Sequence, residues 1–442
     1  MAHIASKSSY ESLVDRLNLL PQGAPPSDSL FAILKLLFSE REAGLVAQLP
    51  IKPFTAAVAA RRWQLDEIQA LSTLEGLAGR AILLDIVAHD GTRTFVLPPP
   101  MAGFFEFSMM HLRGDIDQQI LGELFYQYMN VEEDFIKSLF IDGETQLGRV
   151  FVQERTLPPV EWFDQKKLQI LDYERASEII HQASCRAIGI CYCRQKMMQV
   201  DRACSAPLEI CMTFNNTAAS LVRSGFARPV DIVEGKDLLI LAQEHGLVQF
   251  GENVRRSINF ICNCCGCCCE ALIAARRFST MHPIHTTNYQ PHILEESCNG
   301  CAKCVSACPV EAMTLVSANH PQQAKLKKAK HDANMCLGCG VCVRACRFGA
   351  IQLERRSKLV ITPVDTAYRT VLMAIEREKL PYLIFDNQAL ASHRLMAAIL
   401  GAILRLPPLK KALANQQLKS IYLEKLFEWG EKKSAQATLP PG

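Results

Sequence analysis

The chain has 442 residues, more than one hydrophobic core ordinarily organises, so we expect three or four domains. Hydrophobic residues make up 49% of it, charged residues 21%, and the formal net charge is +3. This composition excludes a disordered chain and a strongly basic nucleic-acid-binding protein. Its 19 cysteines, and a start without the apolar core of a signal peptide, predict a reducing cytoplasm rather than a secreted disulfide scaffold.

The first part of the chain predicts short helices followed by a hairpin. Residues 1–27 show no clear element and are expected to form an N-terminal arm. Apolar periodicity predicts helices over 29–38, 55–62 and 65–80, and Ser39 with Glu42 forms a capping box that opens another helix. Strands at 82–87 and 94–97 flank the turn residues His89, Asp90 and Gly91. Over residues 28–100 this order resembles a winged-helix domain.

A winged helix can bind DNA, with its last helix in the major groove and basic or amide side chains facing the bases. Here that helix carries Asp66, Glu67 and Glu75, and Arg80 is its one basic residue. We therefore expect dimerisation or docking ahead of DNA binding. Arg61 and Arg62 on the preceding helix are expected to be solvated.

Residues 101–172 predict a helical connector with one strand. Helices are expected at 118–128 and 132–140, and the strand at 149–153. The aromatic residues Phe104, Phe105 and Phe107 are expected to be core residues rather than a platform for a cofactor.

Residues 173–287 hold 11 of the 19 cysteines, in two groups. One group is Cys185, Cys191, Cys193, Cys204 and Cys211, and the other is Cys262, Cys264, Cys265, Cys267, Cys268 and Cys269. Ordinary packing does not explain so dense a run, so we predict a metal centre, either an iron–sulfur cluster or zinc. Cys185 is the member expected to be a core residue. Adjacent thiols such as Cys264 and Cys265 point in different directions and are not expected to bind the same iron.

A helix is predicted between the two cysteine groups, at 235–245, followed by Gly246 and a strand at 247–250. Its expected role is to bring the two groups together. His245 is expected to compensate the helix dipole rather than to bind metal.

The most specific pattern follows, because C-x2-C-x2-C-x3-C occurs twice. Its cysteines are Cys298, Cys301, Cys304 and Cys308, and then Cys336, Cys339, Cys342 and Cys346. The second copy follows the first at a constant offset of 38 residues (336 − 298), which indicates one structural unit used twice. Three closely spaced thiolates can bind three irons of one cubane while the fourth reaches a second cluster. The alternative, zinc, needs two separated pairs of ligands.

Residues 288–356 resemble the bacterial two-cluster ferredoxin domain. The resemblance implies two 4Fe-4S clusters with crossed ligation. One ligand set would be Cys298, Cys301, Cys304 and Cys346, and the other Cys336, Cys339, Cys342 and Cys308. The first copy ends with Pro309, whereas Arg347 stands at the equivalent place in the second. A positive charge there favours the reduced cluster and should raise its potential.

The spacing Cys191-Tyr-Cys193-Arg194, with Cys204, Glu209, Cys211 and the 262–269 run, resembles a group of iron–sulfur proteins of anaerobes. Those proteins join a winged-helix-like start to a ferredoxin-like end. The resemblance implies at least one further iron–sulfur centre in this chain.

The remaining segments carry less specific signals. The 320–331 segment, with Lys325, Lys327, Lys328 and Lys330, reads as a basic insertion that could steer an acidic redox partner. After the clusters we expect a helical extension over 357–442, with helices at 364–379, 390–404 and 409–429, a strand at 382–386 and a loose tail at 434–442. The apolar run 395–404 is too short to span a bilayer and predicts a buried helix, with docking on a membrane subunit as the alternative.

Together these patterns predict a multidomain α+β protein that transfers electrons, as a carrier or as a subunit of an oxidoreductase, with protein redox partners and possible self-association. No nucleotide-binding fingerprint is found, since Gly338-x-Gly340 lies inside the cysteine motif. A redox-sensing regulator and a reductase whose active site is the cysteine-rich region are the alternatives.

Overall fold

The computed structural model describes residues 7–88, 90–157, 174–319, 325–357, 360 and 362–385. Helices and small antiparallel sheets alternate along this part of the chain, which confirms the expected α+β class. None of the described helices is long and apolar enough to cross a membrane.

The N-terminal part folds into helices and one hairpin. They are α1 (Ser9–Leu17), α2 (Asp28–Leu37), α3 (Glu40–Ala47), α4 (Ala56–Trp63), α5 (Glu67–Gly79), β1 (Leu84–Val87) and β2 (Arg93–Val96). The capping box at Ser39 and Glu42 forms as expected. Helix α1 lies where we expected an arm, because Ser8 and Glu11 form a second capping box. It buries Leu13 and Leu17 against α3, so this segment belongs to the core.

The hairpin is held against the middle of the chain by buried polar contacts. The Asp85 carboxylate on β1 accepts hydrogen bonds from the Ser220 hydroxyl (2.6 Å) and from Arg223 Nη2 (2.9 Å). It also pairs with Arg93 on β2 at 3.0 Å. The turn between the strands contains His89, which lies outside the described residues. The hairpin therefore packs on the protein rather than projecting from it.

The connector is helical, as expected, and ends in a strand. Its elements are α6 (Phe105–Phe107), α7 (Gln118–Tyr126), α8 (Asp134–Phe140) and β3 (Gly148–Val150), with a wide π-helical turn at Gln127–Val131. Phe104, Phe105 and Phe107 are buried, which confirms them as core residues. The strand is shorter than the one expected at 149–153.

The cysteine-rich region is built on a six-stranded antiparallel sheet. Its elements are α9 (Ala176–Gln182), β4 (Arg186–Ile190), α10 (Tyr192–Met198), β5 (Glu209–Phe214), α11 (Asn215–Arg223), β6 (Arg228–Pro229), α12 (Ile232–Glu244), β7 (Val248–Glu252), β8 (Phe260–Cys264) and α13 (Glu270–Arg277). The strand order is β3-β7-β8-β5-β4-β6. Because β3 comes from the connector and pairs with β7, one sheet spans both regions.

The following region repeats one unit. Its elements are β9 (Tyr289–Ile293), α14 (Lys303–Ala307) and β10 (Met313–Ser317), and then β11 (Lys327–His331), α15 (Val341–Ala345) and β12 (Ile351–Arg355). Both copies span the same lengths, and β9 pairs with β12 while β10 pairs with β11. Lys327, Lys328 and Lys330 therefore lie on a strand, not in a loop insertion, because they belong to the second copy of the unit.

The last described elements are α16 (Thr366–Glu376) and α17 (Leu380–Ile384). The strand expected at 382–386 is wrong, because a helix extends to residue 384. Pro381 suits the first turn of this helix, where its missing N–H costs nothing. Arg369 on α16 donates to the Leu147 carbonyl (2.7 Å) and pairs with Glu252 on β7 (3.1 Å). The helices expected at 390–404 and 409–429, the apolar run 395–404 and the tail lie outside the described residues.

Candidate metal centres

Two cavities in the repeated region are each lined by four cysteines. The outer cavity is lined by Cys298, Cys301, Cys304 and Cys346, together with Phe348 and Ala329 among others. The inner cavity is lined by Cys308, Cys336, Cys339 and Cys342, together with Pro309 and Val341 among others. In each set three cysteines come from one copy of the motif and one from the other. The structure thus brings together the two sets that the ferredoxin resemblance implies.

Paired glycines shape the cysteine loops of both cavities. Gly300 and Gly338 occupy equivalent positions in the two copies, and both have a positive φ (72° and 71°). A Cβ on Gly300 would lie 2.2 Å from the Lys327 carbonyl oxygen, and one on Gly338 would lie 2.1 Å from the Tyr289 oxygen. Glycine is required because each loop turns left-handed while touching a neighbouring strand. The two loops can therefore wrap closely around their cavities.

Several of these thiols resist ionisation without a cation nearby. Burial raises the pKa of Cys339 to about 12 and also raises the pKa values of Cys336 and Cys304. Backbone N–H groups of Gly338 and Val341 offset part of this cost at Cys336 and Cys339, and two further cysteines also accept backbone hydrogen bonds. The Ala312 N–H donates to Cys308 Sγ (3.2 Å) and the Ala329 N–H to Cys298 Sγ (3.4 Å). Such a donor set suits iron, which binds thiolates and holds them deprotonated in a protected site.

The cysteines of the middle region separate into two groups. The buried cavity is lined by Cys191, Cys193, Cys211, Cys262, Cys264 and Cys269, and it also borders Cys265 and Cys268. The four-thiol group consists of Cys204, Cys265, Cys267 and Cys268, whose Sγ atoms all lie within 4.8 Å of one another. Cys264 and Cys265 fall in different groups, as expected, but the adjacent Cys267 and Cys268 share one. Cys185 belongs to neither group and packs partly buried against the main core.

The sheet, rather than the helix between the cysteine groups, brings these thiols together. Strand β5 lies between β4 and β8, so Cys211 on β5 approaches Cys262 on β8, with their Sγ atoms 3.8 Å apart. Cys262 and Cys264 point to the same face because side chains alternate along a strand. Cys191 follows the end of β4. Helix α12 instead packs on α9 and β5 and lines none of these sites.

A buried ion pair fixes two helices that carry cavity cysteines. Lys196 on α10 pairs with Glu270 on α13, both side chains are almost wholly buried, and Asn130 hydrogen-bonds to each of them. Cys193 lies on the same helix as Lys196, and Cys269 directly precedes Glu270. Breaking such a pair leaves an uncompensated buried charge, so it holds Cys193 and Cys269 in place.

The electrostatic surroundings favour thiolates at two positions. Hydrogen bonds from Cys193 and Cys264 lower the pKa of Cys269 well below its usual range, and the Leu272 and Ala271 N–H groups add to this at the start of α13. Hydrogen bonding with Cys268 and the charge of Arg194 lower the pKa of Cys265 to about 5. Burial raises the pKa of Cys191 to about 12. The surroundings therefore give these thiols different pKa values before any metal binds.

A family model described as "4Fe-4S dicluster domain" matches residues 297–350. This part of the chain is therefore similar to that family, and we call it the dicluster domain. Such a domain indicates iron–sulfur electron transfer, which confirms the ferredoxin-type resemblance for this part of the chain. Comparisons with curated proteins and with solved structures give no match.

The dicluster domain contacts the cysteine-rich region at its inner cavity. A Cβ on Gly266 would lie 2.3 Å from the carbonyl oxygen of Pro309, so the backbone between Cys265 and Cys267 touches the residue after Cys308. The Gln153 N–H donates to the Cys339 carbonyl (3.0 Å). The inner cavity therefore lies beside the middle cysteines, with no intervening side chain at Gly266.

Sequence reasoning missed the polar residues that support the middle cysteines. Lys196, Glu270 and Glu106 are separated along the chain and form no motif, so no local signal marked them. Glu106 lines the buried cavity, where desolvation raises its pKa to about 7. Arg194 was noted only as part of a spacing, but its buried guanidinium lies between the two cysteine groups. A basic residue next to a cysteine pair was the available signal.

Proposed function

We propose that this protein transfers electrons through two 4Fe-4S clusters and a further centre in its middle region, as a carrier or as a subunit of an oxidoreductase. The observation that carries the proposal is the pair of four-cysteine cavities, one facing solvent and the other packed beside the middle cysteines. A bound 4Fe-4S cluster accepts and releases single electrons. The chain's own contribution is to hold such centres in a fixed order.

The crossed cysteine sets are our proposed cluster ligands. Cys298, Cys301, Cys304 and Cys346 would hold the outer cluster, and Cys308, Cys336, Cys339 and Cys342 the inner one. Support comes from the way each set lines one cavity and from the hydrogen bonds that reach Cys308 and Cys298. Zinc is less suitable, because each copy supplies four cysteines in a single tight run.

The outer cavity is the proposed entry or exit for electrons. Cys301 is exposed, and Phe348 beside it is 54% exposed. Lys303, Lys327 and Arg347 are also exposed in this part of the domain. Positive charge at an electron port attracts an acidic protein and speeds its encounter. We therefore propose an acidic protein as the redox partner.

The buried cavity is the proposed site of the further centre. Its volume, about 50 Å³, exceeds the roughly 20 Å³ of each cavity in which we propose a cluster. The available ligands are the six cysteines of the buried cavity, and thiolates are the ligands that iron–sulfur clusters prefer. The direct contact of Gly266 with Pro309 links this region to the inner cluster site.

For the N-terminal region we propose docking or self-association rather than DNA binding, within a winged-helix-like unit over residues 28–100. Arg80, the basic residue after α5, pairs with Glu42, and Glu75 pairs with Arg93 at 2.6 Å. Asp85 holds the hairpin against α11 through a hydrogen bond from Ser220 and an ion pair with Arg223. The acidic side chains on α5 repel phosphates, and the hairpin is already packed against α11. Both features disfavour binding to a DNA backbone.

A reductase is the second candidate, because the carboxyl group of Glu106 lines the buried cavity beside Cys269. A carboxyl with a pKa of about 7 can donate a proton at neutral pH. A bound substrate would receive electrons from the centre and a proton from this group. Glu106→Gln would remove the proton donor. Loss of turnover with an unchanged rate of cluster reduction would favour this candidate over simple electron transfer.

The experiment that tests the main proposal is anaerobic purification with iron and sulfide analysis, followed by low-temperature EPR before and after dithionite. We expect two reducible 4Fe-4S clusters and additional iron in the wild type. Cys211→Ser should lower the additional iron and leave the two clusters intact. Unchanged iron and sulfide in this variant would exclude Cys211 as a ligand and weaken the assignment of the buried cavity.

A further inference from the structure

The four-thiol group is notable because all four of its sulfurs lie close to one another, within 4.8 Å. Cys204 Sγ lies 3.5 Å from Cys265 Sγ and 3.9 Å from Cys268 Sγ, and the Sγ atoms of Cys267 and Cys268 are 3.6 Å apart. Four thiolates around one tetrahedral ion with metal–sulfur bonds of about 2.3 Å stand about 3.8 Å apart. These three spacings are close to that value, and the remaining pairs lie within 4.8 Å.

A cubane requires wider spacing, because each of its thiolates binds a different corner iron. The dicluster domain provides the comparison within the same molecule. Among the residues that the structure describes, the four-thiol group is the one set whose candidate ligand atoms all lie within 4.8 Å of one another. Neither the outer nor the inner cysteine set is that compact. The two kinds of set are therefore built for different kinds of centre.

The surroundings supply a second, independent observation. Arg194 is 1% exposed and donates to the carbonyls of Pro207 (2.8 Å) and Asn263 (2.7 Å), and within the described residues it pairs with no carboxylate. Its ionisable neighbours are the thiols of Cys191, Cys265 and Cys264. A buried cation needs a countercharge, and thiolates supply one only when they are ionised, as metal-bound cysteines are.

We propose that Cys204, Cys265, Cys267 and Cys268 bind a single tetrahedral zinc or iron ion, separate from the centre in the buried cavity. The inference rests on the proposed metal binding of the middle region and specifies it. The ion would join the segment before β5 to the segment before α13. Because Gly266 lies between two of the ligands, the site would also position the backbone that contacts Pro309 beside the inner cavity.

The test uses the full-length protein, purified anaerobically, with zinc, iron and acid-labile sulfide measured per chain. Cys267 is exposed, so its replacement disturbs packing least. Cys267→Ala should lose about one zinc or iron per chain and no sulfide, because a mononuclear thiolate site contains no inorganic sulfide. Cys267→His should retain the metal, because histidine can replace one thiolate at such a site. Cys185→Ser, which alters neither group, is the matched control.

The outcomes separate this inference from the main proposal. Metal loss without sulfide loss in Cys267→Ala, and recovery in Cys267→His, would support a single ion, and the metal lost identifies it as zinc or iron. Loss of iron and sulfide together would overturn the inference and assign these thiols to a cluster. Unchanged metal in Cys267→Ala and in Cys268→Ser would overturn metal binding by the group, while the dicluster content would still test the electron-transfer proposal.

Discussion

The inner and outer cavities of the dicluster domain are built from the same cysteine motif, yet they differ in what surrounds them. Cys336, Leu337 and Val341 of the inner side belong to the main hydrophobic core of the molecule. Cys304 and Ile351 of the outer side belong to a small separate core, which also includes Cys342 of the inner set. The comparison teaches that the motif sets which cysteines line each cavity, whereas docking on a neighbouring region decides which cavity faces inwards.

The residues after the two motif copies show the same division. Pro309 packs against Gly266 of the cysteine-rich region, whereas Arg347 is exposed at the outer side. A proline suits a buried contact because it has no N–H to satisfy. An arginine at the surface costs little and adds positive charge where a partner would approach. The departure from the repeat thus coincides with the difference in environment.

Removing one cysteine from each set should give the largest effect. Cys301→Ser and Cys339→Ser should each lose one cluster, about half of the dicluster iron, because a cubane needs its four protein ligands. Only Cys339→Ser should also loosen the middle region, since its loop packs in the main core. Iron analysis with limited proteolysis checks both expectations. Equal proteolysis of the two variants would remove the distinction between inner and outer sides.

Breaking the buried ion pair should affect the middle region and leave the outer cluster intact. Lys196→Met leaves Glu270 buried and unpaired, which should lower the free energy of unfolding by about 3–5 kcal/mol. The double variant Lys196→Met with Glu270→Leu should recover part of the loss, because no isolated charge remains. Anaerobic urea unfolding measures the change. The EPR signal of the outer cluster should be unaffected, and its loss would show that the two sides are not independent.

A side chain at Gly266 should disturb the contact between the regions. Gly266→Ala places a Cβ against the Pro309 carbonyl, so one backbone must move, at a cost of about 1–3 kcal/mol. Gly76→Ala is the matched control, because nothing lies within 4 Å of that position on α5. Unfolding free energies and the rate of electron transfer to the middle region should both fall in Gly266→Ala only. Equal behaviour of the two variants would contradict a functional contact at Gly266.

Charge reversal at the outer side should have the smallest effect. Replacing Lys303, Lys327 and Arg347 by glutamate should slow reduction by an acidic ferredoxin roughly tenfold at low ionic strength, and much less at high salt. The exposed residues Lys35, Arg41 and Lys52 of the N-terminal part, replaced together by glutamate, give the same change in net charge and serve as the control. Stopped-flow absorbance measures the rate, and the iron content should not change. A rate that is insensitive to these substitutions would argue for a different port.

The features that depend on residues close together along the chain could be predicted from the sequence. The cysteine motif and its repeat identified the dicluster domain, and the capping box at Ser39 and Glu42 gave the start of α3. The same signal at Ser8 and Glu11 was available, so α1 could have been found. The strand expected near 382 ignored the preference of Pro381 for the first turn of a helix.

The division of the middle cysteines could not be predicted, because it depends on pairing between distant strands. The Sγ atoms of Cys211 and Cys262 meet only because β5 lies beside β8 in the sheet. The Lys196–Glu270 pair joins residues 74 positions apart and therefore produces no periodic pattern in the sequence. Sequence spacing gave the number of thiols, and the sheet gave their grouping.

The most direct test of the account is the path by which electrons reach the inner cluster. Cys301→Ser removes the outer cluster at an exposed position, and the inner cluster should remain reducible by dithionite. If the outer side is the port, an acidic ferredoxin should reduce the inner cluster of this variant at least tenfold more slowly than in the wild type. Reduction at the wild-type rate would show that electrons enter elsewhere and would contradict the proposed order of centres.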